Sequence, residues 1–167
     1  MHAVIVFETI WGNTEQIGRE IAAGLGGGTT DVVDAASAPE VLDADVDLLI
    51  VGGPTHAFSM TTERTRESAK QQGAEHIPAR GIREWIAALQ SPRRAIPVAT
   101  FDTRVVSPRL PGSAAKKAMK RLVGLGYRPI AKPETFGVHG YAGPVADGEL
   151  ERARRWGAEL ATLVPVG

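Results

Sequence analysis

Three short stretches hold the residue types that could do chemistry, and each follows an apolar run. The first is Thr9-Ile10-Trp11-Gly12-Asn13-Thr14, directly after HAVIVF and directly before an amphipathic segment. Hydroxyls, an amide and a glycine at the opening of a helix suit an oxyanion. The first N–H groups of a helix have no partner within it, and the positive end of the helix dipole points out there. Gly12 would let a phosphate approach the backbone closely. The stretch is neither G-x-G-x-x-G nor a lysine-bearing P-loop, which disfavours a dinucleotide or a nucleoside triphosphate. The same residues would also serve an ordinary strand-to-helix turn capped by Thr or Asn.

The second stretch is Gly52-Gly53-Pro54-Thr55-His56-Ala57-Phe58-Ser59-Met60. Two glycines and a proline shape a tight exit, and His56, Phe58 and Met60 could present flat or apolar groups to a ring. Taken singly, His56 would fit a surface or capping role, and Phe58 and Met60 a core. The third stretch is Thr100-Phe101-Asp102-Thr103-Arg104, polar with one aromatic. Asp102 could instead cap a turn.

The elements that must position these stretches follow from periodicity. His2–Phe7, Asp31–Asp34, Asp47–Val51 and Ala95–Phe101 are short apolar runs that read as buried strands, with Pro97 near the start of the last. Arg128–Val138 reads as a fifth, interrupted by Pro129 and Pro133. Thr14–Leu25 is a helix, with Ile17, Ile21 and Leu25 on one face and Gly26-Gly27-Gly28 ending it. Further helices fall near Thr62–Gln72, over Ile82–Leu89, and over Ala114–Leu125 with Ala115, Met119, Leu122 and Val123 inward. A last helix is capped by Asp147 and turns Leu150, Ala153, Trp156, Leu160 and Leu163 inward. Strands alternating with amphipathic helices define an α/β doubly wound fold with a parallel sheet, one domain at this length. Ligands in such sheets sit at the carboxyl ends of the strands, where all three stretches lie.

Composition narrows the classes. Of 167 residues 43% are hydrophobic and 23% charged, too apolar for a disordered chain. Lys+Arg and Asp+Glu are both 19, so no polybasic affinity for nucleic acid or membrane is expected. The absence of cysteine excludes disulfides, thiol nucleophiles and thiolate metal sites. Met1-His2-Ala3 has no basic leader region and no run reaches the roughly 20 apolar residues of a membrane span, so a cytoplasmic protein is expected.

Together the three stretches resemble the flavodoxin family. The family's phosphate loop, [Thr/Ser]-x-[Thr/Ser]-Gly-x-Thr after the first strand, is matched by Thr9, Gly12, Asn13 and Thr14, with Trp11 in place of a hydroxyl residue. Gly52-Gly53-Pro54-Thr55 resembles the second flavin loop, and Phe101–Arg104 falls where the third should be. The resemblance covers nearly the whole chain. It implies a five-stranded parallel sheet of order 2-1-3-4-5, the short-chain form, and non-covalent FMN. On it, Thr9, Ile10, Trp11, Gly12, Asn13 and Thr14 hold the phosphate. Pro54, Thr55, His56, Ala57 and Phe58 line the ring, and Phe101, Asp102, Thr103 and Arg104 approach its pyrimidine end. Electron transfer is the leading expectation. An NAD(P)H-dependent quinone or substrate reductase, or a binding domain that has lost its cofactor, are the alternatives.

The neutral charge departs from the acidic character of well-known flavodoxins. It is a cancellation: residues 1–83 hold 6 basic and 12 acidic side chains, and residues 84–167 hold 13 and 7. Arg104, Arg109, Lys116, Lys117, Lys120, Arg121, Arg128 and Lys132 form a stretch without any acid. It is either a solvated helix face or a docking surface for a redox partner protein or a small anionic cosubstrate. No Trp or Tyr stands in the second or third loop, leaving His56, Phe58 and Phe101 as the expected ring neighbours.

Overall fold

Period-two alternation along the strands decides which helices cover which face. In the computed structural model, which describes residues 1–165, the chain runs β1 (His2–Phe7), α1 (Asn13–Leu25), β2 (Thr29–Asp34), β3 (Leu48–Pro54), α2 (Glu63–Gln71), α3 (Ile82–Ala88), β4 (Pro97–Val105), α4 (Ala114–Gly124), β5 (Arg128–Pro129), β6 (Glu134–Val138) and α5 (Glu149–Leu163). Ala3 and Ile5 of β1, Leu48 and Ile50 of β3, and Ala99 and Phe101 of β4 pack with Ile17, Ile21, Trp156 and Leu160 of α1 and α5. The intervening Val4, Val6, Leu49, Val51 and Val98 face Ile82, Trp85, Ala118 and Leu122 of α3 and α4. Both faces are covered, which is why the strands read as continuous apolar runs.

All strand pairs are parallel, in the order β2-β1-β3-β4-β5, with β6 also on β4. The 2-1-3-4-5 order is as expected. The expected single strand Arg128–Val138 is two: Arg128 and Pro129 pair with Pro97 and Val98 at the start of β4, and Glu134–Val138 pair with Phe101–Val105 at its end. The chain between them carries Pro133, whose nitrogen cannot donate to a ladder.

Several expected boundaries move. β3 continues through Gly52, Gly53 and Pro54, and β4 through Val105, so Asp102, Thr103 and Arg104 are strand residues rather than a loop. No helix forms between β2 and β3. That crossing is held instead by Arg80, which donates to the carbonyls of Ala35 (3.0 Å) and Ala38 (2.9 Å), and by the Trp85 indole on Pro39 O (3.0 Å). Gly148, at φ 78°, stands at the N-cap of α5 where Asp147 was expected. Leu150 and Leu163 of α5 and Val123 of α4 are exposed. The inward positions are Ala153, Trp156, Gly157 and Leu160 on α5, and Ala114, Ala115, Ala118, Met119 and Leu122 on α4.

Helices α1 and α5 cross with their backbones nearly touching. A Cβ at Gly24 would lie 1.9 Å from Arg154 O, and one at Gly157 2.2 Å from Ile21 O. No helix among the described residues is long and apolar enough to cross a membrane.

One surface histidine couples the fold to pH. The His2 ring lies between Asp31 (2.9 Å) and Asp45 (3.2 Å), tying the start of β1 to β2 and to the chain before β3. The hydrogen bond to Asp31 and, after it, that to Asp45 raise its pKa above 6.5 despite partial burial. The folded state therefore binds this proton more tightly than the unfolded one. The stabilisation is complete below the unfolded value and lost as pH rises through the folded one. Thermal melts from pH 6 to 8.5 are expected to show that loss, and His2→Gln is expected to flatten it.

Candidate functional site

The carboxyl ends of β1, β3, β4 and β6 surround a cleft of about 360 Å³, within the range of small-molecule sites. Its floor is the start of α1. Gly12 occupies the N-cap at φ 90°, where it offers no side chain to cap the helix, and a Cβ built on it meets nothing within 4 Å. The helix end is thus uncapped and open. Thr9 Oγ1 accepts from the Gly12 N–H (3.0 Å), folding the loop back on itself. Thr14 and Thr103, 89 residues apart, share a buried hydroxyl–hydroxyl bond of 2.8 Å that ties the loop to β4. Asn13 is 8% exposed and packs against Gly143, where a Cβ would stand 2.4 Å from its Oδ1.

One wall is the turn after β3. His56 and Ser59 exchange backbone hydrogen bonds of 2.9 and 3.0 Å, leaving Ala57 (φ 45°) and Phe58 (φ 70°) at the tip, both left-handed without being glycine. Such backbone costs roughly 1–2 kcal/mol per residue and persists only where its surroundings hold it. Here the support is Gly112, whose Cα side faces Phe58 so closely that a Cβ would lie 2.2 Å from Phe58 O. Arg104 braces that support by donating to Gly112 O (2.8 Å). Phe58 itself remains 52% exposed at the mouth. His56 lines the cleft, and burial, then the Arg66 cation, hold its pKa below 6.5, so its ring is neutral at pH 7.

Beneath the floor lies a buried charge cluster. Glu8, fully buried, accepts from Ile82 N–H (2.8 Å) and Thr61 Oγ1 (2.5 Å). Arg66, 3% exposed, donates to Thr61 Oγ1 (2.9 Å) and to Glu84 (2.5 Å). Burial pushes the Glu8 carboxyl up, opposed by Thr61, the Ile82 N–H and Arg66. The cluster pins α2 and α3 to the end of β1, which sets the height of Thr9 and Ile10.

Most of the residues expected from the sequence meet in this cleft. Thr9, Ile10, Trp11, Asn13, Thr14, Pro54, Thr55, His56, Ala57, Phe58, Thr103 and Arg104 all line it, with Gly12 shaping the backbone between them. Phe101 and Asp102 do not. Phe101 is completely buried one strand-step below Thr103, edge-on to Phe136 and Trp156. Asp102 points to the opposite face, toward α4. Its Oδ2 accepts from Thr55 Oγ1 (3.1 Å), Ser113 Oγ (2.5 Å) and Ala115 N–H (3.0 Å), while Oδ1 is buried without a partner among the described residues. Its work is to hold Thr55 and the start of α4. Alternation turns Asp102 away, and depth excludes Phe101, which shares the face of Thr103 but lies below it in the core.

The sequence reading missed Tyr141, in the loop after β6. It lines the cleft and is 64% exposed, an aromatic in addition to Trp11 and Phe58 at the mouth. Its signal was available: Gly140-Tyr141-Ala142-Gly143 is an aromatic between glycines, directly after a strand's carboxyl end. Thr65 and Ser68 of α2, and Gln72 just after it, also line the cleft.

Solved structures share this architecture over nearly the whole chain. Oxidised flavodoxin 1 of Bacillus cereus matches at TM-score 0.71 and 17% identity, over 99% of this chain and 100% of that one. The flavodoxin of Streptococcus pneumoniae TIGR4 matches at TM-score 0.69 and 19% identity, over 98% and 100%. A flavodoxin from the domain Archaea matches at TM-score 0.64 and 17% identity, over 97% of each. No protein-family model matches the sequence. No curated protein matches it either. The chain has the flavodoxin-like fold.

Proposed function

We propose that the cleft holds FMN without a covalent bond and that the protein carries electrons. The observation that carries this reading is the uncapped amino end of α1, open at Gly12 and facing a cleft lined by no carboxylate. That is an oxyanion site by geometry and by charge. Its residues fit a phosphate-bearing flavin: donors converge at one end, and aromatic and apolar side chains line the other.

When bound, FMN supplies the redox chemistry. The protein's residues orient and enclose it. The N–H groups at the start of α1, with the Asn13 amide and the Thr14 hydroxyl, hold the phosphate. Phe58 and Tyr141 offer faces for stacking, and the Pro54–Ala57 backbone runs beside the ring. Neutral His56 adds no charge, while Arg104 favours a reduced, anionic ring.

Stacking aromatics contribute about 0.5–1.5 kcal/mol each beyond their buried area. Phe58→Ala is therefore expected to weaken FMN by about two- to twelvefold, with the melting temperature of the apo-protein unchanged because the side chain is half in solvent. Reconstitution with FMN, followed by absorbance and then by NAD(P)H oxidation with a quinone present, tests the reading. A yellow one-to-one complex without sustained turnover supports the carrier. Sustained turnover would favour the reductase, and no complex would leave a cofactor-free binding domain.

A further inference from the structure

The outer face of α4 is a free positive surface at the rim of the cleft. Lys116, Lys117, Lys120 and Arg121 are all exposed, and among the described residues none forms an ion pair. Several arginines elsewhere are matched, Arg19 with Glu15, Arg80 with Glu40, Arg152 with Glu134 and Arg154 with Glu20, whereas α4 gathers four unmatched cations on one short helix. The placement is also unfavourable for the helix itself. Lys116 and Lys117 stand near its amino end, where the dipole is already positive, and its first turn has no acid. Lys116 and Lys117 therefore do not serve to stabilise α4, whereas Arg121 in its last turn complements the dipole.

Their position relative to the cleft suggests what they serve. Gly112, two residues before α4, abuts the Phe58 turn, and Leu110 lines the cleft. Phe58, Leu110 and Tyr141 are 52%, 51% and 64% exposed around the mouth. The first turns of α4 rise from that apolar rim at about 1.5 Å per residue. The acid-free stretch of the sequence is divided by the fold: Arg128 pairs with Pro97 at the far end of the sheet, while Arg109 stands between the cleft-lining Pro108 and Leu110, and Lys116 and Lys117 lie in the first turn of α4. Apolar groups ringed by charge of one sign form a docking surface whose partner is chosen by electrostatics.

We infer that this surface docks an acidic redox protein, with Phe58 and Leu110 at the contact centre and the α4 cations around them. The inference rests on the proposed flavin site. Each productive encounter moves one electron between the partner's centre and the flavin.

The test uses two protein probes with the FMN-loaded chain. Pre-reduced acidic [2Fe–2S] ferredoxin donates one electron per encounter to the oxidised flavin protein. Basic cytochrome c accepts one per encounter from the reduced flavin protein. Both rates are followed from about 20 to about 300 mM salt, across which screening of exposed charges becomes strong. The ferredoxin rate is expected to fall tenfold or more with salt, and the cytochrome c rate to stay flat or rise. In the variant Lys116→Glu/Lys117→Glu/Lys120→Glu the two trends are expected to exchange, with FMN affinity unchanged and the melting temperature unchanged or raised. A wild-type cytochrome c rate that falls with salt, or a variant that leaves both trends as they were, overturns the docking surface alone. Failure to form any FMN complex overturns the flavin site and this inference with it.

Discussion

Asn13→Asp is expected to weaken FMN binding about a hundredfold or more while leaving the apo-protein at least as stable. Asn13 is the first residue of α1, lines the cleft and is 8% exposed. Asp has the same shape. A carboxylate at an uncapped helix start is favourable by roughly 0.3–1 kcal/mol, so the helix should not suffer. The same charge would stand beside the phosphate. Two unit charges about 4 Å apart repel by about 4 kcal/mol at an effective dielectric constant near 20, and about 2.8 kcal/mol already amounts to a hundredfold. The opposite signs of the two effects make the variant informative. Fluorescence titration of the apo-protein with FMN reads one and a thermal melt reads the other. An unchanged affinity would remove the phosphate from the start of α1.

The second large effect is on folding. Gly52→Ala is expected to cost about 3 kcal/mol or more, at the upper end for overpacking a core. The new methyl would lie 2.1 to 2.5 Å from three atoms of the Phe101 ring. That ring cannot retreat, because Phe136 and Trp156 meet it edge-on with centroids at 6.2 and 6.5 Å. Gly27→Ala, where a Cβ meets nothing within 4 Å, is the matched control and should change stability by less than about 0.5 kcal/mol. Chemical denaturation measures both. Shrinking the ring in Gly52→Ala/Phe101→Leu should recover part of the loss. No recovery would mean that the ring is not the obstacle.

That pair also marks where sequence reasoning reaches its limit. The loop Thr9–Thr14 was legible because its residue types, its place after an apolar run and its place before a helix all agree. Gly52 and Gly53 suggested, with Pro54, a tight exit after the strand, yet both lie in β3, where they make room for Phe101 and Ile82. Phe101 suggested a ring neighbour because it is aromatic and close to polar residues. Whether it clears the core depends on where β4 ends, and an apolar run followed by Asp-Thr-Arg does not mark that point. Tyr141 was hidden differently. Its loop reaches the cleft only because β6 pairs with the end of β4 rather than continuing from β5, a tertiary choice that local periodicity does not show. The buried Glu8 was illegible for the same kind of reason: its partners Thr61, Ile82 and Arg66 lie 53 to 74 residues away. Element types, which rest on local periodicity, were the readable part; the strand order followed from the resemblance of the three stretches to the flavodoxin family.

The most direct measurement compares FMN with riboflavin, which is the same ring without the phosphate. Apo-protein titrated with each, at one ionic strength, should bind FMN one-to-one and riboflavin at least a hundredfold more weakly. That difference is about 2.8 kcal/mol, the scale of one or two charge-assisted hydrogen bonds at a helix start. Equal affinities would contradict a phosphate held at the amino end of α1, and binding of neither would contradict the flavin site itself.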